Sequence, residues 1–349
     1  MRRLLVGALL LILACGGAAT LPAPSQPASV RSSTPIPQID VYDMMGALPA
    51  TTFFVVTPES VKAVALLNHA TRYVIPVDSD GAQVAVAAAS QLAYVMDQTA
   101  AGARLRSFDV ATGIQRASRV MPRAALLRTD SAHATLAVDA STGEVFALVG
   151  HGALRAIEQF EGTRLDPVRR VLGDLVCGDR VLAAAGRLAL ACMADGALIT
   201  SEPEGGGKFR ADAALVALAM LPDGTLMAGS ADARLWRLAR GAATLERLDA
   251  LKERGTSLLR DGIASQGDCC FLFGVVERVT SPQVRVLAGG YTLLLFPEAE
   301  RPQGGILVQP PFAYYAVGSQ ARHIDIQQGF GEMMADVGGR ALPGAVADR

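Results

Sequence analysis

Five cysteines carry the most defined chemistry in this chain: Cys15, Cys177, Cys192, Cys269 and Cys270. Cys15 closes the stretch MRRLLVGALLLILAC, in which Arg2 and Arg3 precede an apolar run over residues 4–14. That run is about half the ~20 residues a membrane-spanning helix needs. A basic start, a short apolar run and a small residue at the break describe a secretory signal over residues 1–14. Export fixes how the other four cysteines are read, because thiols pair in oxidising compartments. Four cysteines allow three pairings. Cys177 and Cys192 stand at the two ends of VCGDRVLAAAGRLALAC, which reads as a hairpin, so they form a candidate disulfide. Cys269 and Cys270 are a candidate vicinal pair. The favoured reading is two reduced thiols on opposite faces of one strand, since neighbouring strand side chains alternate.

Other chemistry-bearing residues are dispersed. His69, His133, His151 and His323 form no i,i+4 or H-x-H set, and no cysteine pair has metal-ligand spacing, so no metal site is assigned. There is no G-x-S-x-G elbow for a hydrolase nucleophile. GGGKF at 205–209 lacks the frame and the following Ser/Thr of a phosphate loop. The aspartates of DVATG (109–113) and DASTG (139–143) are turn formers before they are ligands. No catalytic residue is assigned.

The ILAC sequence at residues 12–15 resembles the bacterial lipoprotein signal, in which a small residue precedes a cysteine. That resemblance implies acylation of the Cys15 thiol and cleavage just before it. Residues 18–38, AATLPAPSQPASVRSSTPIPQ, are rich in Pro, Ser and Ala, with Arg31 the only charge. Such a segment cannot bury enough apolar area to fold and favours extended structure. Residues 15–40 are therefore expected to be a lipidated cysteine followed by a tether. Localisation is expected to be exported and lipid-anchored, facing outside the cytoplasm.

Charge narrows the partners. The formal net charge is −1, and removing Arg2 and Arg3 with the signal leaves −3. No basic excess supports nucleic-acid binding. The expected partners are another envelope protein or a small ligand, with the membrane reached through the lipid.

Beyond residue 50, strand-length apolar runs alternate with turn signals: QVAVAA, QLAYVMD, ARLRSFD, EVFALVG, RLALACM, TLMAGS and ARLWRL are separated by DSDG, DVATG, DASTG and PDG. Such spacing predicts an all-β protein. Residues 57–65, TPESVKAVA, fit either a capped helix start or a strand. Three stretches repeat one pattern of strand, polar turn, strand, polar break, strand: 82–109, 122–149 and 214–238. These repeats resemble the blades of bacterial propellers of the YVTN, WD40-like and quinoprotein-like kinds. The resemblance implies a single β-propeller over residues 41–335, with six or seven blades of about four strands, and a loosely ordered tail over 336–349. A blade cannot bury its own faces, whereas a closed ring of blades buries them all. A quinoprotein resemblance would imply a pyrroloquinoline site beside Cys269–Cys270. The lone Asn68 supplies little of its metal-binding set, so no cofactor is assigned. The expected function is a binding module. The alternative is a propeller enzyme of lyase, lactonase or quinoprotein type with its site at the channel mouth.

Overall fold

The structure is a computed structural model. It describes residues 51–66, 68–203, 205–248, 256–266, 269–276, 283–288, 291–297, 302–309, 312–325 and 330–347. The expected signal, Cys15 and the tether lie outside the described residues.

Among the described residues the chain forms seven antiparallel sheets and no helix. Blades 2, 4, 5, 6 and 7 are each built from four consecutive strands, beginning at Gln83, Arg180, Leu215, Thr256 and Gln303 respectively. The innermost strands touch one another in ring order, so the sheets close into a propeller around an axis. The ambiguous TPESVKAVA stretch is a strand, Ser60–Ala65, paired on both sides. Hydrogen-bonding partners on both edges override the local capping signal.

Closure corrects the expected tail. Leu342–Ala347 is the innermost strand of blade 1 and pairs with Thr52–Val56. The register sets Thr52 against Ala347, Phe54 against Ala345 and Val56 against Leu342. The propeller's strands thus continue to Ala347, past the expected end at 335. Gly344 in LPGAVA, which reads as looseness in the sequence, is closely packed here. A Cβ on Gly344 would lie 3.0 Å from the Phe54 carbonyl oxygen. The ring is therefore locked by pairing the two ends of the domain.

The core sits between blades. Phe53, Val55 and Val64 of blade 1 pack toward Tyr314 and Ala316 of blade 7. Phe54, Val56, Val61 and Ala63 pack toward Val84, Ala93 and Val95 of blade 2. Alternation along each strand therefore feeds two cores, and TFFVV is apolar at nearly every position because both faces are covered. Each fully buried Val or Phe contributes about 1.5–3 kcal/mol. Trp236 is buried between blades 4 and 5. Tyr314 and Tyr315 are buried as well and serve as packing residues. Arg187, fully buried, ties blade 4 to blade 5. Its Nη1 donates to the carbonyls of Gly224 (2.7 Å) and Leu238 (3.0 Å), while Nε faces Glu202 at 2.8 Å.

The Cys177 and Cys192 sulfurs are bonded, with their Cα atoms 5.6 Å apart. Cys192 ends the second strand of blade 4, and Cys177 lies just before the first. Cys269 and Cys270 begin the second strand of blade 6, opposite Gln266 and Ser265. Their side chains lie outside the described residues.

Candidate functional site: an axial well closed by a plug

Blade 3 departs from the repeat. Its innermost strand is broken into Ala125–Leu126 and Leu136–Val138, which pair with opposite ends of Val145–His151. Between them residues 127–135 leave the sheet. In the sequence this stretch, LRTDSAHAT, reads as an ordinary polar turn between strands. In the fold it crosses the mouth of the ring and touches five other blades.

The contacts are specific. The Ala132 carbonyl accepts from Val84 N of blade 2 at 2.7 Å, and the Ala134 carbonyl from Val181 N of blade 4 at 2.8 Å. Gln83, completely buried, clamps the loop from blade 2. Its Nε2 donates to the Ser131 carbonyl (3.0 Å), and its Oε1 accepts from Ala134 N (2.9 Å) and Thr135 N (3.0 Å). Asp130 pairs with Arg260 of blade 6. His133 Nδ1 lies 3.3 Å from the Pro343 carbonyl of blade 1. In blade 7 a Cβ on Gly305 would lie 2.6 Å from Asp261 Cβ and 3.3 Å from His133 Cε1, so only glycine admits both side chains there.

Below the loop lies an ion pair. Arg180 of blade 4 and Asp261 of blade 6 are bonded, with side chains 4% and 5% exposed. Arg180 Nη2 also reaches Ser131 Oγ at 3.3 Å, and Nη1 reaches the Leu218 carbonyl at 3.4 Å. The pair bridges the axis between blades that are not neighbours. Asp261 has a left-handed backbone (φ 54°) at a break in the pairing register between Leu258 and Ile263. That conformation suits an aspartate better than a branched residue.

Burial pushes the His133 imidazolium down to a pKa of about 4, and the nearby Arg180 cation adds to this. His133 lines the axial well. His133 is therefore neutral at pH 7. Since a carbonyl oxygen only accepts, Nδ1 carries the proton and Nε2 keeps a lone pair. Ser131 Oγ is 3.2 Å from Nδ1 and 3.3 Å from Nε2.

The plug divides the axis into two spaces. On one side lies an axial well of about 320 Å³, lined by all seven innermost strands, with Val86, Val138, Leu182, Met220, Val308 and Val346 among its wall residues. Arg180 and His133 form its floor. In blades 2 and 4 burial is tighter at the start of the innermost strand than at its middle. Gln83, Val84, Arg180 and Val181 are buried, whereas Val86, Ala183, Ala184, Val308 and Gln309 are partly exposed. On the other side the plug and its neighbours form two adjoining clefts. One, of about 410 Å³, is lined by Arg128, Asp130, Asp179, Arg180, Arg260 and Asp261 among others. The second, about 190 Å³, shares Arg128, Thr129 and Asp130 and adds Asp80 and Arg340. This rim is charged and mixed in sign.

The disulfide supports the rim. Arg155 bonds the Gly178 carbonyl and pairs with Asp179 at 2.9 Å, and Asp179 Oδ2 accepts from Met193 N at 2.8 Å. The Cys177–Cys192 bond thus braces the segment leading into Arg180. Asp109 and Asp139 form turns. Asp109 Oδ1 accepts from Ala111 N, Thr112 N and Thr112 Oγ1, and Asp139 Oδ1 accepts from Ser141 N and Oγ. Bonding to Arg116 and then to Thr112 holds Asp109 down at a pKa of about 2. Among the described residues, no group of three or more His, Cys, Asp or Glu side chains is arranged to hold a metal ion.

Sequence reasoning did not single out Gln83, Ser131, Arg180 or Asp261. These residues are 48 or more positions apart from one another. The only available signal was the interruption of an apolar strand by RTDSAH.

No known sequence family matches the chain, and no curated protein matches it. Solved structures share the fold. A functionally unknown protein from Desulfotomaculum acetoxidans superposes with a TM-score of 0.55 at 11% identity, over 85% of this chain and 98% of its own. AztD from Citrobacter koseri, in its apo form, gives 0.54 at 10% identity, over 86% of this chain and 98% of its own. TolB from Acinetobacter baumannii gives 0.50 at 12% identity, over 88% and 70%. At such identities the likeness concerns the fold alone.

Proposed function

We propose that this chain is an exported, lipid-anchored propeller that binds a protein partner at its plugged mouth. The observation that carries this reading is the plug itself. A loop from one blade is fixed to five others, so Arg128, Asp130 and Arg260 stand on a rigid platform at the junction of two charged clefts. Recognition residues on loops held by a stiff scaffold are the common way a fold of this kind binds. The mixed charge of the rim suits a polar partner surface and an orientation-specific contact. Anchoring through Cys15 and a tether over 15–40 would hold the mouth near other envelope proteins. The Cys177–Cys192 bond supports an oxidising compartment.

The enzyme alternative is less well supported by the same residues. The Ser131 hydroxyl sits nearly equidistant from both ring nitrogens of His133, so no aligned nucleophile–base bond forms. A histidine with a pKa near 4 is a weak base at neutral pH.

Cross-linking in intact cells, followed by recovery and mass spectrometry, tests the proposal. Wild type is compared with Cys15→Ser and with the rim variant Arg128→Glu/Arg260→Glu. The expected result has three parts: wild type fractionates with membrane and carries acyl mass on its N-terminal peptide, Cys15→Ser is released, and the rim variant loses a stoichiometric partner. Identical behaviour of wild type and Cys15→Ser refutes the anchor. A partner retained by the rim variant refutes the mouth as the binding surface.

A further inference from the structure

We infer that the outer edge of blade 4 receives an extended acidic strand of another protein, which joins that sheet as a fifth strand. This surface lies on the outside of the ring and stands apart from the mouth.

A sheet edge offers unpaired N–H and C=O groups to any strand that reaches it. Folds guard such edges with proline, irregular pairing or short strands. Among the described residues, six of the seven outermost strands are guarded in these ways. Thr71–Pro76, Gln115–Pro122, Pro167–Leu175 and Tyr291–Pro297 each have a proline at one end and a shifted register with their inner neighbour. Phe330–Asp336 also pairs with a shift, and Glu246–Leu248 is three residues long. The exception is Gly205–Arg210 of blade 4, GGGKFR, whose glycines and lysine make no phosphate loop. It has no proline, and its six residues pair with Ala197–Glu202 in unbroken register. Among the described residues no strand pairs with its outer side, where alternate residues turn their N–H and C=O outward. Gly205 and Gly206 are exposed and carry no side chain to hold an incoming backbone away.

Charge selects the strand. Lys208 and Arg210 are exposed and, two residues apart, share one face of the edge. Phe209 turns to the other face and packs against the core between blades 4 and 5. Neither cation has a carboxylate partner among the described residues, and Arg210 Nε donates to the Asp195 carbonyl at 3.3 Å. A second copy of this edge would bring the same two cations against them, whereas a strand with carboxylates at alternate positions neutralises both. Beside the edge lies a groove of about 380 Å³, lined by residues 205–209 and by 241–243 of blade 5. The Glu202 carboxylate in that groove is committed to Arg187 at 2.8 Å, so it does not offset Lys208. In strand addition the main-chain bonds supply affinity and pockets for alternate side chains supply selectivity. Edge and groove provide one of each.

The probe is the amidated peptide TVEVEVT with an N-terminal fluorescein, titrated against the full-length chain by fluorescence anisotropy. Amide hydrogen exchange locates the contact. Saturable binding and slowed exchange over 205–210 are expected. TVKVKVT, with lysine at both glutamate positions, is expected to bind about fivefold more weakly or worse, because two cross-strand charge pairs turn from attraction to repulsion. Lys208→Glu/Arg210→Glu is expected to reverse that preference. Both side chains are exposed, so this variant keeps the fold. Methylating the backbone nitrogens of TVEVEVT separates strand addition from a purely electrostatic contact. Only one set of alternate amides faces the protein, so methylation of that set abolishes binding and methylation of the other leaves it intact. The inference is overturned by no saturable binding of TVEVEVT, by equal binding of TVKVKVT, or by both methylated peptides behaving alike. Slowed exchange confined to another part of the chain overturns it as well. Exchange over 205–210 already slow in a dimer without peptide would replace the acidic strand by a second copy. None of these readouts involves the mouth, so loss or capture of a partner there leaves them unchanged.

Discussion

Asp261→Asn is the sharpest perturbation of this structure. Asparagine keeps the shape of the side chain and tolerates the left-handed backbone at φ 54°, so the change removes charge with little strain. Arg180 is left with its cation enclosed, its side chain 4% exposed, and only weak contacts to Ser131 Oγ and the Leu218 carbonyl. Breaking a buried pair by removing one partner costs about 3–5 kcal/mol. Asparagine's carbonyl still accepts one bond, so the lower end, about 3 kcal/mol, is expected. Unfolding entropy near 2.1 cal/mol/K per residue gives about 0.6 kcal/mol/K for a propeller of roughly 300 residues. The melting temperature should therefore fall by about 5 °C, read by circular dichroism and calorimetry at pH 7. The double variant Arg180→Met/Asp261→Asn removes the stranded charge and should recover most of the loss. A shift below about 1.5 °C for Asp261→Asn would mean that water or rearrangement already screens the pair. A double variant that loses the sum of both singles would refute the pairing itself.

Acid should weaken the fold through His133. Its folded pKa, about 4, lies below the unfolded value of about 6.5, so the unfolded chain binds a proton that the folded chain refuses. Stability is complete above pH 6.5 and declines as pH falls toward 4, by about 3 kcal/mol without screening and about 2 if water in the well screens the ring. His133→Phe should lose that part of the pH dependence in urea titrations. Replacing both Cys177 and Cys192 by serine opens a link of sequence separation 15 and should cost about 3 kcal/mol, or about 5 °C in melting temperature. Ending the chain after Ala341 removes the innermost strand of blade 1 and leaves the inner edge of Thr52–Val56 unpaired. Gel filtration should then show aggregate in place of a monomer, because an exposed apolar strand edge is an association template.

Composition, period and turn chemistry in the sequence determined the class of fold. Short apolar runs broken by DG and DxxTG signals can only be strands and turns, and no single blade buries both of its faces. The repeats at 82–109 and 214–238 fall on the first three strands of blades 2 and 5, whereas 122–149 falls on the two halves of blade 3's innermost strand and on its second strand. The aspartates of DVATG and DASTG form turns, as their local hydrogen bonding dictates. These features are local, so they are legible along the chain. The register of closure was not. LPGAVA reads as a loose tail because its meaning depends on Phe54, nearly 300 residues earlier, against which it pairs and whose carbonyl oxygen would lie 3.0 Å from a Cβ on Gly344. The site was hidden for the same reason. Arg180 begins one apolar strand and Asp261 interrupts another, and each looks like a stray charge. RTDSAH looks like a turn until the ring brings Gln83, Arg180, Arg260, Gly305 and Pro343 around it. Outside the plug, the propeller draws its axial residues one or two from each blade, so most site neighbours are far apart in sequence. Only ring closure decides which charges meet on the axis.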